Sequence, residues 1–508
     1  MAFVAYNLPR RPAAAEARMQ LPHIPILRFG RSYVSLQTSE VADHRTGRPL
    51  ARLSVANSGL IRRDLRCAGR AAQALRALPA AEIWRRCASA GELFMAGELP
   101  LGEGCVQTSD QYVQTLSSTS GLPHNLCRRN MQKISYVLTH MDEILRGLSG
   151  GIDNSNIFDT GRGALHGVPV SYFPVADALG VVLPSNSPGV NSIWLPAIGL
   201  KTPVVLKPGR EEPWTPWRIV QALIAAGIPA EAFGFYPAEH DGADAILQDC
   251  TRAIMFGDDA TLRRHAHDPT IQTHGTGRSK VVLGEDLADC WPDFLDTLLA
   301  SIVENGGRSC INASTIIVPR HGDAIAEALG KRLAAIEPRA ADDDRAVLSA
   351  FANAGFARHI DEVIEGGLTA NGARDVTGEH RRGPRLVELD GAVYLRPTLV
   401  RCPNLDHPLG NAEFLFPFAG VVEMPQEDVL DRIGPTLVLT AITKDRAFIE
   451  ELLASPAIDR LNLGAIPTTR VEWDQPHEGN LFEFLYRRRA IQSQEQWPEA
   501  ATQTPAAT

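Results

Sequence analysis

Cys310 closes the run Asn305-Gly306-Gly307-Arg308-Ser309-Cys310 and stands just before the strand-like Ser314-Thr315-Ile316-Ile317-Val318-Pro319. Glycines adopt backbone conformations closed to other residues, so a thiol on such a turn can approach a carbonyl without its own main chain in the way. A lone cysteine is otherwise an inert core residue, and upstream groups decide between the two readings. Pro184-Ser185-Asn186-Ser187-Pro188 holds a polar amide between prolines directly after the apolar Gly180-Val181-Val182-Leu183. Lys207 ends the run Pro203-Val204-Val205-Leu206, and Gly257 follows Ala253-Ile254-Met255-Phe256.

The elements that would position these groups alternate. From about residue 178, short apolar runs bounded by Gly and Pro are separated by helix-length segments near 191–199, 213–226 and 241–247, the pattern of a parallel, doubly wound sheet. Ligands of such sheets bind beyond the carboxyl ends of the strands, where Lys207 and Gly257 fall. A second series begins at Lys280-Val281-Val282-Leu283. It continues through a helix over 291–305, the Cys310 turn, the strand at Ser314 and a helix over 324–336 with Ile325, Leu329, Leu333 and Ile336 on one face. Helices over 64–78 and 82–96 are expected to cover the first sheet.

Composition sets limits. A chain of 508 residues exceeds what one core usually serves, so two large domains are expected. With a formal net charge of −9, nothing favours a nucleic-acid partner. The eight cysteines form no Cys-x-x-Cys pair and no cluster at ligand spacing, which argues against a metal site or disulfide framework and for a reducing cytoplasm. No stretch approaches the roughly 18 apolar residues of a membrane span.

Asn186 between its prolines, Lys207-Pro208, Cys310 after its glycine turn, Tyr394-Leu395-Arg396-Pro397-Thr398 and Glu413-Phe414-Leu415-Phe416-Pro417 form an ordered set. This set resembles the aldehyde dehydrogenase superfamily over roughly residues 24–490. The resemblance implies an α/β fold of two doubly wound, Rossmann-like domains with a small β oligomerisation element. It implies that Cys310 attacks the substrate carbonyl and that Asn186 and the Cys310 backbone N–H hold the resulting oxyanion. Lys207, with Pro184 and Gly257 beside it, would bind the adenosine side of a nicotinamide cofactor, and Glu413 the nicotinamide ribose.

The departures matter as much. Where hydrolytic members carry Glu-Leu-Gly-Gly-Lys, this chain has His274-Gly275-Thr276-Gly277-Arg278-Ser279, similar to the acyl-CoA reductases, including the fatty-acid reductase of bacterial luminescence. Without the water-activating glutamate, a thioester on Cys310 is expected to exchange with coenzyme A, with His274 as acid/base. His274 can alternatively activate water, giving a free acid. The position three residues after Lys207, a carboxylate in NAD-preferring relatives, is Arg210, which favours NADP(H) over NAD(H); a one-residue shift to Glu211 would restore NAD. Asp258 and Asp259 replace a polar turn, so their charge opposes a pyrophosphate; Arg278, Arg308 and the Arg263-Arg264 pair are candidates to compensate or are simply exposed charges, the reading favoured for the pair.

The expected organisation is an N-terminal disordered extension over 1–23, a cofactor-binding domain over 24–281 with an oligomerisation hairpin near 155–175, and a catalytic domain over 282–470. A return segment and oligomerisation strand follow over 471–492, then a disordered tail over 493–508. The expected protein is a cytoplasmic homodimer or homotetramer acting on a small aldehyde or acyl-CoA. A silent scaffold is the alternative of another class, against which the joint presence of Cys310, Asn186, Lys207 and Glu413 argues.

Overall fold

The computed structural model describes residues 21–492 except 103, 153 and 371. The expected extension lies outside the described residues up to residue 20, and the expected tail over 493–508 lies outside them entirely. His23 already belongs to a short strand, His23–Ile24.

Two seven-stranded sheets carry the molecule. In the first, Ile271–His274, Arg252–Phe256, Leu179–Val182, Val204–Lys207 and Phe233–Phe235 run parallel in that order, and Ile26–Arg28 and Arg31–Tyr33 close the edge antiparallel. These strands are short, apolar and bounded by Pro or Gly. Leu179–Val182 is buried throughout, as a strand covered on both faces by helices must be. Val182 is in register with both Lys207 and Met255, so the chain leaves neighbouring strands at one level.

The second sheet runs Arg374–Asp375, Thr398–Cys402, Phe418–Glu423, Ala313–Val318, Ser279–Leu283, Thr436–Ile442 and Ile458–Leu463, parallel except for the first. The chain passes from one sheet to the other through residues 275–278. Ser279–Leu283 is wholly buried in the second sheet, so the change of sheet falls before the expected boundary at 281.

Three helical expectations are modified. The helix expected over 64–78 is two, Ser58–Leu65 and Ala68–Arg76, broken at Arg66 and Cys67. That expected over 291–305 starts as a 3₁₀ segment, Glu285–Phe294, and becomes α-helical only over Leu295–Val303, because Pro292 offers no N–H to an α-helical ladder. The apolar segment at 191–199 forms two single turns, Asn191–Trp194 and Pro196–Gly199, with Pro196 at the break. The hairpin Arg162–Leu165 and Val168–Pro174 pairs with Tyr486–Arg489 in a separate three-stranded sheet, joining the expected hairpin to the expected C-terminal strand. Among the described residues, no helix is long and apolar enough to cross a membrane.

Candidate active site

The turn before Cys310 is left-handed at three successive residues, Asn305, Gly306 and Gly307, with φ of 54°, 66° and 68°. Asparagine tolerates this region when its short side chain bonds locally. Asn305 donates to Ser187 Oγ at 3.2 Å and Ser309 Oγ at 3.0 Å, and accepts from Asn130 at 2.8 Å. A Cβ at Gly307 would stand 2.3 Å from the main-chain nitrogen of Pro417. The Cys310 loop therefore lies backbone to backbone against the segment that carries Glu413.

Arg308 points inward and is 6% exposed. It donates to Ser120 O at 2.6 Å and to Ala350 O, and burial pushes its pKa down to about 10. Arg308, expected to compensate a phosphate or to be an exposed charge, is neither: it is buried and clamps the Cys310 loop to two main-chain carbonyls. The Asn186 side-chain amide donates to the Arg308 carbonyl at 3.0 Å and keeps a second N–H for another acceptor. The Cys310 sulfur accepts from the backbone N–H groups of Cys310 and Ile311. Burial, with the Glu478 and Glu413 carboxylates, nevertheless pushes the thiol well above its ordinary range.

His274 ends its strand, 3% exposed, with its ring 4.7 Å from that of Phe256. Nδ1 faces the carboxylate of Glu478, a residue that the sequence pattern does not single out. Glu478 has a φ of 48°, and its carbonyl accepts from Gln272. Burial opposes its ionisation, but His274 and His477 outweigh that and hold it below the usual carboxylate range. His477, pushed down to about 4 mainly by burial, meets Arg460 at 2.9 Å. The turn after His274 rests on the Cys310 backbone: a Cβ at Gly277 would sit 2.0 Å from Cys310 O, and Ser279 Oγ donates to the same carbonyl at 2.8 Å. The only sequence signal for Glu478 was a titratable pair inside the loop Pro476-His477-Glu478-Gly479.

Glu413 accepts from the backbone N–H of Arg278 at 2.6 Å and from that of Gly277, and burial pushes it up to about 7. Lys280 beside it is fully buried, donates to Arg278 O at 2.6 Å and Thr436 Oγ1 at 3.0 Å, and is pushed down to about 7 by burial.

At the carboxyl edge of the first sheet, burial lowers the Lys207 ammonium, with Glu239 opposing. A Cβ at Gly209 would meet Pro184 O at 2.5 Å, so Pro184 and the Lys207 loop line one narrow cleft. Arg210 is 74% exposed and ion-paired with Glu239 at 3.1 Å. The Glu211 backbone is tied to Ser185 Oγ at 3.2 Å, and buried Glu212 accepts from the backbone N–H of Thr215 at 2.8 Å, near the start of the helix Trp214–Ala225. Gly257 donates to His274 O at 3.1 Å. Asp258 caps the turn Asp259–Leu262 through Thr261 N at 2.8 Å, and Asp259 holds Thr276 and Arg278. Arg278 is thus already paired, while Arg263 and Arg264 are exposed. The Lys207 loop can pack this closely on Pro184 only because residue 209 has no side chain, and Asp258 and Asp259 place two carboxylates after the neighbouring strand Arg252–Phe256.

Comparison with known proteins follows this geometry. The aldehyde dehydrogenase family model matches residues 33–432. Among curated proteins, a non-phosphorylating aspartate-semialdehyde dehydrogenase of Halomonas elongata is 22% identical over 286 residues, 54% of this chain and 56% of that protein. N-succinylglutamate 5-semialdehyde dehydrogenase 2 of Caulobacter vibrioides is 27% identical over 248 residues, 45% and 48% of the two. The chain thus spans about half the length of these relatives. Among solved structures, the aldehyde dehydrogenase KauB from Pseudomonas aeruginosa superimposes with a TM-score of 0.76 at 17% identity, covering 92% of this chain and 96% of that one. A 3,6-anhydro-L-galactose dehydrogenase in complex with NAP gives 0.73 at 16%, covering 92% and 99%. An indole-3-acetaldehyde dehydrogenase complexed with NAD+ gives 0.74 at 17%, covering 92% and 95%. By the match over residues 33–432 and by this shared fold, the chain belongs to the aldehyde dehydrogenase family.

Proposed function

We propose that the protein oxidises an aldehyde through a thiohemiacetal and then a thioester on Cys310, and that water activated by His274 releases a free acid. The observation that carries this reading is the buried contact of His274 Nδ1 with the Glu478 carboxylate beside a turn packed on Cys310. A carboxylate on Nδ1 fixes the imidazole tautomer and leaves Nε2 as the base, the arrangement that makes histidine an effective proton acceptor.

The steps use this chain's own groups. His274 takes the proton of the Cys310 thiol, which burial and two carboxylates keep from ionising by itself. The sulfur adds to the aldehyde carbon, and the free N–H of Asn186 meets the developing oxyanion. Lys207 and Pro184 would hold the ribose side of a nicotinamide nucleotide and Glu413 its nicotinamide end, and the nucleotide would supply the hydride acceptor. His274 passes the thiol proton to solvent, then accepts a proton from the water that cleaves the thioester and returns it to the leaving sulfur. Arg210 favours NADP(H), because a doubly charged 2′-phosphate can displace the exposed Glu239 carboxylate from the guanidinium.

A second reading rests on the missing family glutamate: the acyl group leaves on coenzyme A, or the reverse reaction reduces an acyl-CoA. Product analysis with and without coenzyme A separates the two. Free acid formed without coenzyme A, and lost about 10²–10⁴-fold in His274→Ala as for removal of a general base, supports hydrolysis. Turnover that requires coenzyme A and yields acyl-CoA overturns it. Glu478→Gln should lower kcat less than His274→Ala, and an unchanged pH profile in that variant would remove Glu478 from the relay.

A further inference from the structure

A cavity of about 270 Å³ lies between the two domains, lined by none of the residues assigned above to chemistry or to the nucleotide. Its first-domain wall presents His44 and Arg45, together with His124 at the start of the helix His124–Thr139. Its second-domain wall presents Asp342, Asp390 and Tyr394. The charges are divided by domain. Arg45 has a carboxylate neighbour in Asp43 at 3.3 Å, on its own turn. Neither Asp342 nor Asp390 pairs with a cation among the described residues. Burial holds His44 down to about 4 and also lowers His124, so both rings are neutral at pH 7 and act as hydrogen-bonding groups.

A ligand matching both walls carries an anionic end for Arg45 and a cationic end for the two aspartates. We propose that this cavity binds a small zwitterionic α-amino acid that bridges the domains. The volume suits such a molecule, including one with an aromatic side chain. A monoanion forgoes the contact with the aspartates and a monocation the contact with Arg45, so a zwitterion gains most from the divided lining.

The cavity borders the seam that fixes the nucleophile. Ala350, in its wall, donates its N–H to Gly121 O at 2.8 Å, and a Cβ at Gly121 would stand 2.1 Å from Ala350 O. The Arg308 side chain spans this seam, with Ser120 O on one domain and Ala350 O on the other, while its carbonyl holds Asn186. A ligand that draws the walls together therefore acts on the clamp behind Cys310, and by reciprocity aldehyde occupancy alters the ligand's affinity.

The test is a calorimetric and thermal-shift titration of the full chain with L-phenylalanine, L-glutamate and L-alanine, alongside 3-phenylpropionate and phenethylamine, which each lack one charge of phenylalanine. Saturable binding of at least one amino acid, a Tm rise of several degrees and a changed KM for aldehyde are expected. Binding should weaken at least tenfold in D342N/D390N, two exposed positions whose change leaves activity without ligand intact. Three results overturn the proposal: no saturable binding of any of the three amino acids, equal binding of either single-charge analogue, or undiminished binding in D342N/D390N. Binding is read without turnover, so the outcome is independent of the catalytic reading.

Discussion

The Asn186 amide and the Arg308 carbonyl meet at 3.0 Å, joining the first domain to the loop two residues before Cys310. Asn186 thus uses one N–H in structure and keeps the other for the proposed oxyanion contact. Asn186→Ala removes both and should lower kcat about 10²–10³-fold, the usual effect of losing an oxyanion donor. Steady-state kinetics decide: a change in KM alone would confine Asn186 to a structural role.

Cys310→Ala should abolish turnover and leave nucleotide binding nearly intact, since the sulfur contributes to chemistry and not to the cleft around Lys207. Tryptophan quenching by NADPH and product formation check the two halves separately. Residual turnover above background would rule out Cys310 as nucleophile.

The raised Cys310 thiol sets a pH dependence. Its neutral form is favoured in the folded protein by burial and by Glu478 and Glu413, so the thiolate fraction grows only as pH rises into the alkaline range. Alkylation by iodoacetamide in the absence of substrate should be slow at pH 7 and accelerate through pH 9 and above. A rate that is already maximal at pH 7 contradicts the burial argument.

Glu413, pushed up by burial to about 7 in the folded chain from an ordinary 4.5, binds a proton more tightly folded than unfolded. Its contribution to stability is therefore fully present below pH 4.5 and is lost as pH rises through 7, by up to about 3 kcal/mol at 1.36 kcal/mol per unit. Glu413→Gln should flatten that part of the stability profile. Urea midpoints of both proteins at pH 5 and 8 measure it, and parallel profiles would place the proton elsewhere.

Arg210→Glu should shift preference from NADP(H) toward NAD(H) by more than tenfold, because a guanidinium–phosphate contact is worth about 1.5–3 kcal/mol. The paired Glu239 would then repel the new carboxylate, so a second variant, Glu239→Gln, separates that repulsion from lost phosphate binding. Unchanged kcat/KM ratios for the two nucleotides would mean that Arg210 meets solvent only.

Much of the first sheet was legible because its strands are short, apolar and punctuated: Val204–Lys207 between prolines announces both its ends and the lysine at its tip. The glycine turn at Cys310 was legible for a related reason, since positive φ and close backbone approach leave few residue choices. The partners of those groups were not. Glu478 reaches His274 from the far end of the chain, and an isolated carboxylate in a loop carries no periodicity that would reveal it. Arg308 misled because nothing in its neighbours distinguishes a guanidinium folded inward onto two carbonyls from one facing a phosphate. The break at Arg66 and Cys67 was hidden because alanine and arginine on either side are good helix formers.

His274 is the last residue of a strand in one sheet, and after only four intervening residues the chain enters the other at Ser279, whose hydroxyl holds the carbonyl of Cys310. A motion that separates the sheets would strain this short crossing at both ends, so the His274 strand end and the Cys310 loop cannot shift independently of one another.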